Sequence, residues 1–117
     1  MEEWKDALRK LDVDVDGSIA RFSGKEERYV KYLRLFSEDE SFDGLLDALA
    51  AGEVEQAFDY CHTLKGLVNN LGFEKMMPVI YDACEILRAG RTEGVLQLLN
   101  EVSDNYTDII NAINNLL

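Results

Sequence analysis

The sequence predicts an all-α protein, an antiparallel four-helix bundle with additional short N-terminal helices. Three observations carry this. The 117 residues contain a single proline, Pro78. Apolar residues recur every three or four positions, the period of a helix face buried against a neighbour. The connections between these runs are short, which favours antiparallel packing of successive helices.

Taken in order, Trp4, Ala7, Leu8 and Leu11 make one face of a short first helix. Residues 12–17 form an acidic turn in which Asp16 or Ser18 caps a second short helix holding Ile19 and Phe22. Ser23-Gly24-Lys25-Glu26 has the form of a capping box, with Ser23 at the N-cap and Glu26 answering it. It opens a helix with Tyr29, Leu33 and Phe36 on one side. Phe42, Leu45, Leu46 and Leu49 also repeat helically, but their centre lies roughly 150° from the first set at 100° per residue. A break, a kink or a change of partner around residues 37–41 explains the rotation, and Gly52 stops that segment. Residues 53–71 read as one helix ended by Gly72. The next covers about residues 74–89, with Pro78 near its start, where a missing N–H is tolerated, and Gly90 ends it. The last, over about residues 92–116, carries Val95, Leu99, Val102, Tyr106, Ile109, Ile113 and Leu116 in an a/d seam. Such a seam could pair two copies, but in a chain this short it more often packs within its own bundle. Repeats, low-complexity tracts and linkers are absent, so residues 1–117 are read as a single domain.

Charge narrows the partners. Asp and Glu number 23 against 12 Lys and Arg, a net charge of −11. Phosphate backbones and anionic membranes attract positive surfaces, so neither nucleic acid nor membrane is expected as a general partner. No apolar run approaches the roughly 18 residues of a membrane span. Met1 is followed by Glu2, Glu3 and a polar helix pattern, unlike a signal peptide. Cys61 and Cys84 match no metal or redox spacing and read as free thiols, with the cytoplasm the default compartment.

Residues 53–71 carry the chemistry. With His62, the only histidine, at zero on the helical wheel, Val54, Ala57, Cys61, Leu64, Val68 and Leu71 centre near 220°, so His62 points roughly 140° from the buried direction. A lone surface histidine is usually unremarkable; its neighbours distinguish this one. Lys65 and Gly66 lie three and four residues on, where side chains share a helical face, and Asn69 lies two turns along the same stripe. Lys65 offers three donors and a positive charge to an anion held on the imidazole. A glycine inside a helix costs about 1 kcal/mol relative to alanine, and open access to the imidazole would offset that. An outward imidazole, a nearby cation and a cleared space together describe a phosphorylation site.

Cys61-His62-Thr63-Leu64-Lys65-Gly66-Leu67-Val68-Asn69-Asn70-Leu71-Gly72 resembles the signature of histidine-containing phosphotransfer domains, H-x-L-K-G followed by a small-residue stretch and L-G. Every fixed position is met. More weakly, Leu11-Asp12-Val13, Arg21-Phe22-Ser23-Gly24 and residues 29–36 look like the family's opening stretch, and Arg88-Ala89-Gly90 like the end of its following helix. The resemblance implies that His62 accepts a phosphoryl group, that Lys65 steadies it, and that Gly66 makes room for an incoming receiver domain. Arg88 matches a basic position near the site in some members. The implied reaction is reversible transfer between a receiver aspartate and His62, with Mg²⁺ held by the receiver and no cofactor on this chain. The implied partners are response-regulator receiver domains and a hybrid histidine kinase. The chain would then be a phosphocarrier, not an enzyme. There are two departures from the pattern. Leu67, Val68 and Asn69 replace residues that are usually smaller, giving a narrower or more apolar docking surface. Cys84 stands where many members place Glu or Gln to orient the imidazole, and a thiol is a weak substitute. Either the His62 tautomer is then less fixed, or Glu85 stands in. Phe58 and Leu67 are the candidates for partner contact at the margins of the site, Phe58 otherwise lying at the edge of the core.

Other readings are a non-phosphorylated helical scaffold or inhibitor that binds a receiver or kinase, and the phosphoacceptor domain of a chemotaxis-type histidine kinase. Met1 and a helix running to Leu117 favour an intact small protein over such a fragment. Residues 12–17 resemble the start of a calcium loop, but Ser23 replaces the bidentate Glu of its twelfth position. Adjacent on a helix, Cys61 and His62 diverge by roughly 100° and cannot form a nucleophile–base pair. One histidine and two cysteines make a poor zinc set.

Overall fold

A computed structural model describes residues 2–117. They form seven helices: α1 (Glu3–Arg9), α2 (Val15–Arg21), α3 (Glu26–Glu38), α4 (Ser41–Ala50), α5 (Val54–Leu71), α6 (Met76–Arg88) and α7 (Val95–Leu116). Among the described residues there is no strand, only an isolated bridge between Val13 and Phe73. α5 packs against both α4 and α6, and α7 closes on α6, α3 and α1. The buried faces are those the apolar spacing marks: Tyr29, Leu33 and Phe36 of α3, Leu64 and Val68 of α5, Leu99 and Ile109 of α7. None of the described helices is long and apolar enough to cross a membrane.

The short N-terminal helices grip one end of α5. The Asp14 N–H donates to the Gly72 carbonyl (2.8 Å) and the Glu74 N–H to that of Asp12 (3.0 Å). Arg21 reaches the last turn of α5 and donates to the carbonyls of Asn69 (3.1 Å) and Asn70 (3.3 Å), placing a cation at the negative end of the helix dipole. The Tyr29 hydroxyl donates to the Leu71 carbonyl (2.8 Å), and burial pushes its phenol up to about 12. Gly72 ends α5 at φ +79°, and a side chain there would run into Ser18 and the Asp14 backbone. This is a left-handed stop that only glycine fills without strain. The register of α5 is therefore set by contacts at its C-terminal end.

The break between α3 and α4 falls at Asp39 and Glu40, inside the stretch where the two apolar sets change phase. The Asp39 carboxylate accepts the Ser41 N–H (2.8 Å) and starts the new helix. Three expectations are corrected. Ser23 is not an N-cap: it sits at φ +60°, whereas a cap residue takes an extended backbone. Lys25 holds the cap position of α3 without a side-chain hydrogen bond, and Glu26 instead pairs with Lys5 of α1 (2.5 Å). α2 is capped by Asp14, which accepts the Gly17 N–H (3.0 Å). Asp16 lies inside that helix, bound to Arg9 (2.9 Å), and Ser18 is buried there with its hydroxyl on the Asp14 carbonyl. α7 begins at Val95, because Gly94 has φ +85° and cannot continue a helix backward toward residue 92. Along its seam Tyr106 is half-buried and Leu116 is exposed. Asn105, on the polar side of the pattern, is buried instead and donates to the Leu11 carbonyl (2.9 Å), tying the end of α1 to α7.

Candidate functional site

α5 is two-sided. Cys61, Leu64 and Val68 are fully buried, while His62, Thr63, Gly66, Asn69 and Asn70 are exposed. The outward direction of His62 is thus the one its helical phase requires. A methyl group at Gly66 would meet no atom within 4 Å. Packing therefore gives no reason for glycine at this position, and the surface beyond His62 is open.

Aromatic rings line the flank between α5 and α6. Phe58, one turn before His62, is half-buried and stacks on the imidazole with ring centroids 5.8 Å apart and planes 26° from parallel. The Arg88 guanidinium lies 5.2 Å from the Phe58 centroid and is held by Glu85 (3.3 Å). Lys65 rests its ammonium 4.6 Å from the centre of the Tyr81 ring. Both cations expected near the site are therefore present on one flank, each braced on an aromatic face. Such contacts are worth about 0.5–1 kcal/mol at exposed positions, strong enough to bias a long side chain and weak enough to release it. Beside Phe58 and Arg88 lies an open cleft of about 350 Å³ that also takes in Val54, Glu55 and Leu87.

On the opposite flank Leu67 is half-buried and lines a groove of about 210 Å³ with Phe22, Tyr32, Leu35 and Asn70. Asn69 shows its side chain to solvent while its carbonyl accepts from Arg21.

Cys84 is elsewhere. It is fully buried and faces Cys61 in the core. The imidazole-orienting place that the resemblance gives residue 84 is corrected: Cys84 meets Cys61 in the core, while Arg88, one turn further along α6, meets Phe58 at the surface. Burial, then the neighbouring Cys84 thiol, pushes Cys61 up to about 12, and its Sγ reaches the Ile80 carbonyl at 3.7 Å. Glu85, the possible stand-in, is engaged by Arg88. Among the described residues no side chain hydrogen-bonds the imidazole; the ring that stacks on it is Phe58. Nothing in the motif around His62 marks Tyr81, yet it lies two turns before Arg88 on one stripe of α6, which is the signal that places it on this flank. No group of three or more His, Cys, Asp or Glu among the described residues is gathered so as to hold a metal.

Neither family models, nor characterised proteins, nor solved structures gave a match to this chain.

Proposed function

We propose that this chain is a phosphorelay carrier: His62 accepts a phosphoryl group from a receiver-domain aspartate and passes it to another receiver. The observation that carries the reading is the pairing of an exposed imidazole with open space over Gly66. The signature around His62 and the two braced cations, Lys65 and Arg88, support it. In the same reading α3 with α4, then α5, α6 and α7, are the four members of an antiparallel bundle, and the compartment is the cytoplasm.

In the forward step a neutral imidazole nitrogen attacks the phosphorus of the aspartyl phosphate. The N–P bond forms as the P–O bond to the aspartyl group breaks, and the electron pair leaves with the receiver carboxylate. The proton on the other ring nitrogen passes to solvent, and return of a proton reverses the process. Charge on the transferring oxygens is spread, so positioning and nearby cations do most of what is needed. Lys65 swings from Tyr81 to meet the phosphoryl oxygens. Mg²⁺ belongs to the receiver in this scheme, and a hybrid histidine kinase is the expected source of the phosphoryl group.

The test is label transfer from a phosphorylated receiver domain in the presence of Mg²⁺. His62→Gln should abolish labelling and keep the fold, since an exposed helical position tolerates exchange to within about ±0.5 kcal/mol. Lys65→Ala should slow transfer without abolishing it. Receivers that bind the chain but never label it would make it a binding module and overturn the proposal.

A further inference from the structure

Resting on the carrier reading, we propose that Phe58 is the positioning residue of the site: its ring fixes the plane of the His62 imidazole by stacking, in place of a hydrogen bond to the second ring nitrogen. An N–P bond forms along the nitrogen lone pair, which lies in the ring plane. Whatever fixes that plane therefore fixes the direction of attack, and small errors in such alignment slow reactions strongly. No side chain among the described residues hydrogen-bonds the imidazole, and Cys84 is turned into the core toward Cys61. The stack is what remains. A centroid separation of 5.8 Å and a 26° interplanar angle fall within the range of favourable offset aromatic pairs.

The ring that does the holding is itself held. Phe58 packs against the core edge, and Arg88 covers it at 5.2 Å while tied to Glu85 at 3.3 Å. A line of contacts thus runs from α6 to the imidazole on α5. The two axial neighbours of His62 are also unlike. Phe58 fills the position one turn before it, and Gly66 leaves the position one turn after it bare. One face of the imidazole is covered by Phe58, the surface over Gly66 is open, and no described side chain holds either ring nitrogen in a hydrogen bond. A partner would come in over Gly66.

His62 is the only histidine, so the chain gives one set of imidazole NMR signals. Phe58→Leu keeps apolar bulk at the core edge, and Phe58→Tyr keeps the ring. The leucine variant should lose the ring-current displacement of the His62 protons. At saturating phosphorylated receiver its phosphoryl acceptance should slow about tenfold, with the half-saturating receiver concentration little changed. The tyrosine variant should restore both. Unchanged imidazole signals in Phe58→Leu, or wild-type transfer despite changed signals, would overturn the proposal. So would a defect confined to the half-saturating concentration, which would make Phe58 a docking residue. If the wild-type chain accepts no phosphoryl group while the imidazole signals still respond to Phe58→Leu, the stack is real. The carrier reading then fails, and the positioning role falls with it.

Discussion

Gly44 of α4 and Gly66 of α5 look alike in the sequence, each a glycine within a helix, yet their surroundings are opposite. A methyl group on Gly44 would stand 2.6 Å from the Tyr60 ring, so the residue is small because two helices approach closely there. A methyl group on Gly66 would meet nothing within 4 Å. Each glycine costs about 1 kcal/mol of helix stability relative to alanine. At Gly44 close packing offsets that cost; at Gly66 nothing in this chain does. The same division runs around α5 itself. Its inner side is closed by Cys61, Leu64 and Val68, and its outer side presents a histidine beside bare backbone. In the proposed carrier, an incoming partner is what the bare exposed backbone at Gly66 serves.

The largest expected effect lies on the closed side. Cys84→Gln adds volume and an amide to a fully buried site beside Cys61, and should lower stability by about 3 kcal/mol in urea denaturation. This reverses what placing residue 84 next to the imidazole would suggest, namely a tolerated substitution with faster phosphoryl acceptance. Wild-type stability in that variant would mean the α5–α6 contact is looser than described. The buried acids give the same side a pH signature. Cys61 rises from 9.0 to about 12 and Tyr29 from 10.0 to about 12, both through burial. A raised acid stays neutral longer in the folded chain than in the unfolded one. The stability it contributes is complete below the unfolded value and is lost as pH rises through the folded value. The urea midpoint should therefore fall between about pH 9 and 12, and a flat profile would contradict the burial of both groups.

The two glycines make a sharper pair. Gly44→Ala should cost about 1–2 kcal/mol, because overpacking against Tyr60 exceeds the gain in helix propensity. Gly66→Ala should raise stability by up to about 1 kcal/mol and still slow transfer from a receiver, since the methyl group stands where the partner approaches. Equal signs in denaturation would erase the comparison. A stabilised Gly66→Ala chain with unimpaired transfer would leave the glycine unexplained.

What the sequence made legible was local and periodic. The two sides of α5, the stop at Gly72 and the change of apolar phase between α3 and α4 all follow from spacing along one helix or its end. What it concealed depends on a second helix. Ser23 and Glu26 have the form of a capping box, but Lys5 of α1 takes the Glu26 carboxylate. Asn105 sits on the polar side of the α7 pattern and is buried because α1 lies over it, its amide reaching the Leu11 carbonyl. Cys84 and Arg88 share a stripe of α6 on a wheel, yet one meets Cys61 and the other Phe58. At the site, His62, Lys65 and Gly66 could be singled out from one helix alone. The stack of Arg88 on Phe58 and Phe58 on His62 needs the crossing of α5 and α6, which no local spacing encodes.

The central claim is that His62 carries a phosphoryl group, and the most direct measurement is the intact mass of the chain after incubation with a phosphorylated receiver and Mg²⁺. If His62 is the carrier, the chain gains a single phosphoryl group, lost in acid and stable in base as a phosphoramidate is, and absent from His62→Gln. No gain of mass from any cognate receiver, or an equal gain in His62→Gln, would mean that His62 carries no phosphoryl group.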